Sequence, residues 1–409
     1  MHQSSKFEVP EPPARPNEKP DFSYLNIPEP GGLPQPPMDA PADHFSDYAK
    51  GLVRVLDDQG TAVPGWESLL PDTETKVAGL RAMIKTRLYD ERMIKMQRVG
   101  KMSFYVQCTG EEAVAVSQSM ALTASDMCFP TYRCQGWLVA RNASLVEMMC
   151  HCLSNSKDRM KGRQLPVMYA FPEHQFFSIS GNLGTQYPQA VGWAMAELYK
   201  GGNGVASAFI GDGSTAENDF HAALTFAATY NAPILLNITN NQWAISTFQN
   251  IAGGGSTFAA RGLAYGLPSL RVDGNDFLAC YAATQWAANR ARQGHGATVI
   301  EFVTYRAAAH STSDDPSKYR PKDEWSHWPL GCPIERLKSH LLTQAGWSET
   351  QHTAMVDEVA AEVTKAYKEA ESYGTLSGGQ RPEVATMFEQ VYKDIPPDLI
   401  EQRRKLLGK

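Results

Sequence analysis

The sequence predicts an α/β fold in which helices cover both faces of a mostly parallel central sheet. Short, almost uniformly apolar runs alternate with longer helical stretches in the middle of the chain. Such runs are typical of strands that are buried on both sides. The chain has 409 residues, more than the roughly 250–300 at which a single core stops growing, so we also expect appendages or a second domain.

Prolines are concentrated at the N-terminus, where 13 of the 26 lie at or before Pro71. Proline excludes helix interiors and central strands, so residues 1–70 are predicted to form an extended arm. Aromatic residues such as Phe22, Tyr24 and Tyr48 are interleaved with these prolines, which is unusual in a disordered tail. We therefore expect the arm to lie on another subunit, and the alternative is a flexible tail.

A helix is predicted to begin after Pro71, with Asp72 or Thr73 as the residue that caps its first turn. Apolar side chains recur along one face of this helix at three- and four-residue steps, at Val77, Leu80, Ile84 and Leu88. We predict that this helix opens an α/β domain of residues 71–330. Residues 331–409 are predicted to form a helical region packed on that domain.

Four segments are the predicted strands: VASAFI, APILLNIT, SLRVDG and TVIEFVTYR. The helices predicted around them are YPQAVGWAMAELYK, NDFHAALTFAATY and FLACYAATQWAANRAR. Three more helices are predicted in the C-terminal region, namely PIERLKSHLLTQAG, SETQHTAMVDEVAAEVTKAYKEAES and PEVATMFEQVYKDI.

Composition excludes several classes of protein. The net charge of −6 gives no basic footprint for nucleic acid. No run approaches the roughly 18 apolar residues of a membrane span, and the N-terminus lacks the apolar core of a secretory signal. The seven cysteines form no Cys-x-x-Cys pair, which favours reduced thiols. We expect a cytoplasmic protein that binds neither nucleic acid nor a membrane.

The stretch GDGSTAENDF follows the predicted strand VASAFI and contains the first candidate site residue, Asp212. Ligands of open parallel sheets bind at the carboxyl ends of the strands, which is where Asp212 should lie. Gly211 and Gly213 permit a sharp turn and a close approach of a ligand. The helix predicted near Glu217 to Tyr230 would direct its free N–H groups toward the same point, which favours an anion such as phosphate.

The next strand ends in Asn240-Asn241-Gln242-Trp243, and a right-handed crossover should bring these residues to the edge that carries Asp212. A carboxylate, an amide oxygen and a main-chain carbonyl suit Mg²⁺, which completes its shell with substrate phosphates. The pattern therefore predicts a divalent cation that holds a diphosphate. A dinucleotide is the alternative, but no Gly-x-Gly-x-x-Gly run follows a strand.

This spacing, Gly-Asp-Gly and then Asn-Asn after 26 intervening residues, resembles the thiamine-diphosphate motif. Further stretches widen the resemblance: SFYVQCTGEEA, FPTYRCQG, ISGNLGTQ, NNQWAIST and YRAAAHSTSDDPSKYR. From about residue 72 to 330 the chain resembles alpha subunits of the decarboxylating component of 2-oxo acid dehydrogenase complexes. Among these it is most similar to the branched-chain type, and the long arm suggests a bacterial member.

The resemblance implies a three-layer thiamine-diphosphate-binding fold. It also implies an α2β2 heterotetramer that decarboxylates a branched-chain 2-oxo acid and passes the acyl group to a lipoyl-bearing core acyltransferase. Mg²⁺ would be bound by Asp212, Asn241 and the carbonyl of Trp243. The other implied cofactor contacts are Tyr132, Arg133, Gly181, Leu183, Gly213, Ser214, Ile245 and His310. A structural K⁺ is implied at Ser180, Thr185 and Gln186.

His310 matches the active-site histidine of that family, and a histidine with a pKa near neutral could shuttle protons there. A solvated loop histidine is the alternative. Ser311 matches the position that is phosphorylated in animal members. Two positions depart from the animal pattern: Thr239 replaces an arginine, and Ala309 replaces a second histidine.

The cofactor also requires a glutamate beside its aminopyrimidine ring. Glu111 and Glu112 are candidates, but we interpret them as structural, because the family supplies this glutamate from the β subunit. The rival functions are a pyruvate or acetoin dehydrogenase alpha subunit and a catalytically silent scaffold. HSTSDDPSKYR favours the branched-chain type over pyruvate, and intact Asp212, Asn241 and His310 argue against a scaffold.

Overall fold

A five-stranded sheet organises the computed structural model, which describes residues 10–408. All strand pairs in this sheet are parallel, and their spatial order is β1-β2-β3-β7-β6. These strands are β1 (Met127–Phe129), β2 (Ala206–Gly211), β3 (Ile234–Asn240), β6 (Ser269–Asp273) and β7 (Thr298–Val303). A separate antiparallel hairpin joins β4 (Trp243–Ala244) to β5 (Thr247–Phe248). The four predicted strands are confirmed, and β1 adds a short edge.

The helices of the described chain are α1 (Ser46–Lys50), α2 (Thr73–Arg98), α3 (Glu112–Ala121), α4 (Gln135–Ala140), α5 (Leu145–Leu153), α6 (Gln186–Lys200), α7 (Asn218–Thr229), α8 (Ala260–Leu263), α9 (Phe277–Arg290), α10 (Pro333–Gln344), α11 (Glu349–Ser372) and α12 (Pro397–Leu407). The predicted start of α2 is confirmed. Asp72 caps it by accepting a hydrogen bond from the Thr75 N–H at 2.8 Å.

Strand side chains alternate between two buried clusters, one on each face of the sheet. Phe209 and Leu235 belong to the cluster that includes side chains of α3 and α9. Ile210 and Leu236 belong to the cluster that includes side chains of α6 and α7. Because both faces are covered, β2, β3 and β7 are buried along most of their length and mainly apolar on both faces, whereas β6 alternates Leu270 and Val272 with buried polar residues. The predicted α/β class, with helix layers on both sides of a parallel sheet, is confirmed.

The described part of the arm packs on its own chain. The Val53 N–H donates to the Arg271 carbonyl of β6 at 2.8 Å. Trp286 of α9 donates from its indole to the Pro36 carbonyl at 2.9 Å, and Phe45 is fully buried. A contact of the arm with another subunit, which the sequence suggested, stays a prediction. Within residues 10–408, no helix combines the length and the apolar character that crossing a membrane requires.

The C-terminal region differs from the prediction in its last helix. Helices α10 and α11 form as predicted, but PEVATMFEQVYKDI contains only a short 3₁₀ turn at Val384–Phe388. The carbonyls of Thr386 and Glu389 accept hydrogen bonds from Arg163, and the Thr386 carbonyl also accepts from the Glu389 N–H at 3.1 Å within the short turn. The final helix, α12, begins after Pro396, where a proline suits the first helical position.

Candidate active site

The two sequence motifs meet at the carboxyl edge of the sheet. Gly211 of β2 lies opposite Thr239 of β3, so the chain leaves both strands at the same level. A Cβ built on Gly213 would lie only 2.4 Å from the Cβ of Ala244. Gly213 therefore allows the turn after β2 to approach the β4 hairpin closely, and a side chain there would separate the two motifs.

Asp212 carries a buried oxygen without a partner. Its side chain is buried, and Oδ2 accepts no hydrogen bond from the residues that the structure describes. Burial raises the pKa of this carboxyl to about 7, although hydrogen bonding to the Gly213 N–H opposes the shift. An ionised carboxylate is costly in such a place unless a cation compensates it. The unpartnered oxygen therefore fits a metal ion.

Asn241 is oriented by Glu111. The amide Nδ2 of Asn241 donates to Glu111 Oε1 at 3.0 Å, and its Oδ1 has only a long contact of 3.4 Å with the Trp243 N–H. Burial raises the pKa of Glu111, and the nearby charge of Arg133 opposes that shift. Glu111, which the sequence analysis interprets as structural, therefore contacts a predicted metal ligand directly and fixes which way the amide of Asn241 is turned.

Glu112 fits the structural interpretation. It is almost fully buried, accepts from Arg87 Nε at 2.7 Å and accepts from the Gly110 N–H at 2.9 Å. Its carboxylate thus accepts hydrogen bonds from α2 and from the loop that precedes α3. The two adjacent glutamates therefore have different partners, one in the candidate metal site and one outside it.

Arg306 braces the turn that carries the third predicted metal ligand. Its guanidinium donates to the carbonyls of Trp243 and Ile245, each at 2.8 Å, and to the Tyr319 hydroxyl at 2.8 Å. A carbonyl oxygen has a second lone pair, so the Trp243 oxygen can still ligate a cation. Sequence reasoning missed Arg306, although it follows β7 at the same edge of the sheet and the same rule would have found it.

Arg133 and Tyr132, two of the implied cofactor contacts, lie beside His310. Arg133 Nη2 donates to the His310 carbonyl at 2.6 Å and lies 3.1 Å from the imidazole Nδ1. The same guanidinium also donates to the Gln107 carbonyl. The ring of Tyr132 meets that of His310 edge to face, with centroids 5.9 Å apart. The structure therefore brings these three predicted residues together.

The imidazole of His310 is more strongly perturbed than we expected. Burial and the charges of Arg133 and Arg306 lower its pKa to about 3, against an opposing contribution from Asp314. Two cationic guanidinium groups disfavour a third positive charge between them. The pKa of His310 thus lies below the near-neutral range in which an imidazole exchanges protons readily. An anion bound to the arginines would offset their charge and raise the pKa again.

The loop that holds His310 is fixed by local hydrogen bonds. Asp314 Oδ2 accepts from the His310 N–H at 2.7 Å and from the Tyr319 hydroxyl at 2.6 Å. The Thr312 N–H donates to the Tyr105 carbonyl at 3.0 Å. Ser311 lies in this loop and is partly exposed. His310 is thus held in a closed turn, and the alternative of a freely solvated histidine does not describe it.

The helix predicted near Glu217 to Tyr230 is confirmed as α7, and a short turn that was not predicted precedes it. A 3₁₀ turn at Gly213–Ala216 separates Asp212 from α7, which begins only at Asn218. The N–H groups that follow Asp212 directly therefore belong to this short turn, which contains Gly213 and Ser214, and not to α7. The Thr215 hydroxyl donates to the Asp212 carbonyl at 2.6 Å and closes the turn.

Three of the implied cofactor contacts, Gly181, Leu183 and Ile245, lie on exposed parts of the chain. Gly181 is exposed, and the side chains of Leu183 and Ile245 are 45% and 53% exposed. Ser180 and Thr185, two of the three implied K⁺ ligands, bind the backbone of Asn182 between them. The third, Gln186, donates to the Phe209 carbonyl.

Comparison with known families decides the classification. The family profile described as "Dehydrogenase E1 component" matches residues 80–377. The chain belongs to this family. A second profile, "2-oxoisovalerate dehydrogenase E1 alpha subunit N terminal", matches residues 3–43, so the arm belongs to the branched-chain type as well.

Similar curated proteins carry the same description. The 2-oxoisovalerate dehydrogenase subunit alpha of Pseudomonas aeruginosa is 58% identical, over 98% of each chain. The mitochondrial subunit of Homo sapiens is 39% identical, over 87% of this chain and 79% of its own. An Arabidopsis thaliana subunit is 35% identical, over 87% and 74%. The branched-chain prediction is confirmed over the pyruvate alternative. Similarity to a bacterial member is also confirmed, and it covers nearly the whole chain instead of only residues 72–330.

Proposed function

We propose that this chain is the diphosphate-binding half of an enzyme that decarboxylates 3-methyl-2-oxobutanoate and related branched 2-oxo acids, and that the acyl group is transferred to a lipoyl group. Its working form is an α2β2 heterotetramer, which docks a lipoyl-bearing core acyltransferase. The observation that carries the proposal is the unpartnered, buried Asp212 Oδ2 at the edge where Asn241 and the Trp243 carbonyl also lie.

Mg²⁺ is held by Asp212 Oδ2, Asn241 Oδ1 and the main-chain oxygen of Trp243. These are hard oxygen ligands, and Mg²⁺ completes its octahedron with phosphate oxygens and water. Glu111 supports the set because it occupies the Nδ2 of Asn241. The fit is to an oxygen-preferring cation, since none of the three ligands supplies nitrogen or sulfur.

The diphosphate is bound by Arg133, Tyr132 and the main-chain N–H groups of Gly213 and Ser214. A planar guanidinium suits phosphate oxygens. Arg133 now donates to the carbonyls of Gln107 and His310 and has only a longer contact of 3.8 Å with the Glu111 carboxylate. Thiamine diphosphate, when bound, supplies the nucleophilic carbon that attacks the oxo group and the ring that takes up electrons as carbon dioxide leaves.

His310 moves a proton during acyl transfer. Its Nδ1 faces Arg133 at 3.1 Å, which leaves Nε2 for a substrate or lipoyl sulfur. Neutralisation of Arg133 and Arg306 by the diphosphate would bring the imidazole back toward a pKa at which it exchanges protons. Proton transfer at this position is therefore coupled to occupation of the diphosphate site.

The β subunit completes the part of the site that would hold the aminopyrimidine ring, here called the ring end. Leu183 and Ile245 present apolar surface that a pyrimidine ring and a partner chain would cover together. The glutamate that contacts the aminopyrimidine comes from the β subunit, because Glu111 is engaged with Asn241 and Arg133. A structural K⁺ at Ser180, Thr185 and Gln186 would tie the exposed loop to α6 and β2.

The test is reconstitution with a β subunit and a lipoyl domain, followed by turnover of 3-methyl-2-oxobutanoate against pyruvate. We expect preference for the branched acid and no turnover by the alpha chain alone. Asp212→Ala should weaken Mg²⁺-dependent cofactor binding by roughly a hundredfold or more, since even supporting residues of metal sites contribute about 10–100-fold. Glu217→Gln, an exposed change in the same segment, should retain normal binding.

Two outcomes would refute this function. Decarboxylation by the pure alpha chain would contradict a site shared with β. Unchanged cofactor affinity in Asp212→Ala, measured by calorimetry at several Mg²⁺ concentrations, would refute the ligand assignment. Circular dichroism checks that the variant keeps its fold.

A further inference from the structure

The N-terminal arm contacts the turn of residues 241–243, which contains two of the proposed metal ligands, through one hydroxyl group. Tyr24 donates from its phenol to Gln242 Oε1 at 3.1 Å, across 218 residues of sequence. Gln242 stands between Asn241 and Trp243, the two ligands that this turn contributes. A group that holds Gln242 therefore acts on both ligands at once.

Gln242 has a backbone conformation that must be held in place. Its φ of 75° lies in the left-handed region, which is unfavourable for a residue with a side chain and persists only when the surroundings impose it. Its backbone N–H donates to Asn240 Oδ1 at 3.2 Å. The carbonyl of Gln242 accepts from the Gln249 N–H at 3.0 Å, within the β4 hairpin.

The side-chain amide of Gln242 is fully used. Nε2 donates to the carbonyls of Asn240 and Thr304 at 3.1 and 3.2 Å and also contacts Asn240 Oδ1 at 3.2 Å. Oε1 accepts from Gln249 Nε2 at 2.6 Å and from Tyr24. The buried amide thus ties the left-handed turn to β3, to the chain after β7 and to the arm, and Tyr24 supplies one of the two donors to its oxygen.

Aromatic packing holds Tyr24 against the same turn. Its ring meets Phe248 edge to face at 5.2 Å, and Phe248 meets Trp243 in the same way at 5.1 Å. Phe22 packs on Tyr305 and Trp328 at 6.0 and 5.3 Å. The arm therefore packs on the aromatic cluster that includes the side chain of Trp243. The ring contacts of Tyr24 hold its hydroxyl group near Gln242.

We propose that Tyr24 is a positioning residue for the metal site, acting through Gln242 on Asn241 and Trp243. The inference rests on the proposed Mg²⁺ and thiamine-diphosphate function. Mg²⁺ requires near-ideal octahedral geometry, so a small relaxation of the turn lowers the affinity for the ion. The arm is then part of the cofactor site, although it supplies no ligand.

The experiment compares two tyrosine-to-phenylalanine variants in the assembled enzyme. Tyr24→Phe keeps the ring packing and removes the hydroxyl. Tyr48→Phe is the matched control, because the Tyr48 hydroxyl also lies in the arm but donates to the Pro34 carbonyl at 2.7 Å. Calorimetry with thiamine diphosphate at a series of Mg²⁺ concentrations measures the dissociation constants, and thermal unfolding without cofactor measures stability.

Tyr24→Phe should weaken Mg²⁺-dependent cofactor binding by roughly three- to tenfold, the ratio that one ordinary hydrogen bond sustains. Its kcat at saturating Mg²⁺ should equal that of the wild type, because no reacting group is lost. Its unfolding temperature without cofactor should match that of Tyr48→Phe, whose cofactor affinity should be unchanged. A purely structural tyrosine would shift the unfolding temperature and leave the Mg²⁺ dependence alone.

Unchanged affinity in Tyr24→Phe, or an equal loss in Tyr48→Phe, would overturn the positioning role. Asp212→Ala in the same assay separates this failure from a failure of the proposed function. If Asp212→Ala loses Mg²⁺-dependent binding while Tyr24→Phe does not change, only the role of Tyr24 is refuted. If Asp212→Ala binds normally, the metal assignment and the inference fail together.

Discussion

The two ends of the candidate cofactor site differ in how completely this chain builds them. At the diphosphate end, Asp212 and Arg133 are buried, and His310 is held between two guanidinium groups. At the ring end, Leu183 and Ile245 are about half exposed. One end is therefore prearranged by the alpha chain, whereas the other is open surface.

This difference follows from where each end sits in the fold. In the proposed diphosphate end, Asp212, Asn241 and Arg306 follow β2, β3 and β7, whose register is set by the buried sheet. The loop of His310 is held by hydrogen bonds to Asp314 and Arg133. The ring end lies on the loop before α6 and on the tip of the β4 hairpin. Strand ends position groups more rigidly than loops do, so the alpha chain can preform the ionic contacts and leave the apolar ones to a partner.

The largest expected effect is at the prearranged end, in His310→Ala. Loss of a positioned acid–base group typically costs about 10²–10⁴-fold in the step it serves. We expect this loss in acylation of a lipoyl domain and a smaller loss in decarboxylation measured with an artificial electron acceptor. The reason is that Nε2 is the imidazole nitrogen left for an incoming group, whereas Nδ1 faces Arg133.

His327→Ala is the control for that experiment, because His327 is an exposed histidine. Its imidazole forms hydrogen bonds with the Ser326 hydroxyl and the Asp323 carbonyl, neither of which belongs to the candidate site. It should leave both rates unchanged. Equal losses in acylation and decarboxylation by His310→Ala would contradict a role specific to acyl transfer.

The sequence predicted the parts of the site that depend on local pattern. Asp212 and Asn241 follow apolar strands directly, so the topology rule for parallel sheets placed them together. Arg306 follows β7 under the same rule, yet its role depends on three hydrogen bonds made across the site. The partner of Glu111 likewise depends on tertiary structure, because Asn241 lies 130 residues away in sequence.

In the C-terminal region, a local sequence pattern predicted a helix that the structure does not contain. PEVATMFEQVYKDI has the spacing of an amphipathic helix, but its carbonyls bind Arg163, which lies more than 200 residues earlier. A tertiary contact of this kind overrides local propensity. The contact of the arm with another subunit stays a prediction, because a proline-rich sequence carries no signal for which chain it packs on.

A smaller effect is expected from pH, again at the prearranged end. The folded pKa of Asp212 is raised to about 7, so its proton competes with Mg²⁺ below that pH, and the competition disappears above it. The apparent dissociation constant for Mg²⁺ should therefore rise roughly tenfold between pH 8 and pH 6, since metal binding must displace the proton. Calorimetry with thiamine diphosphate at fixed ionic strength measures this slope.

The diphosphate also titrates, and Asp212→Asn isolates its contribution. This variant binds the ion more weakly, but its residual Mg²⁺ affinity should vary less with pH than that of the wild type. Parallel pH profiles for the two proteins would show that the Asp212 carboxyl is not the competing group.

The smallest effect is expected at the open end, in Leu183→Ala. Covering the side chain on assembly contributes about 1 kcal/mol, so its truncation should weaken thiamine-diphosphate binding by roughly fivefold. The affinity for Mg²⁺ with inorganic pyrophosphate should not change, because pyrophosphate occupies only the prearranged end. Leu198→Ala is the matched control, since Leu198 on α6 is 47% exposed against 45% for Leu183. Equal loss of pyrophosphate and thiamine-diphosphate affinity in Leu183→Ala would mean that the two ends are coupled and that the ring end is not independent surface.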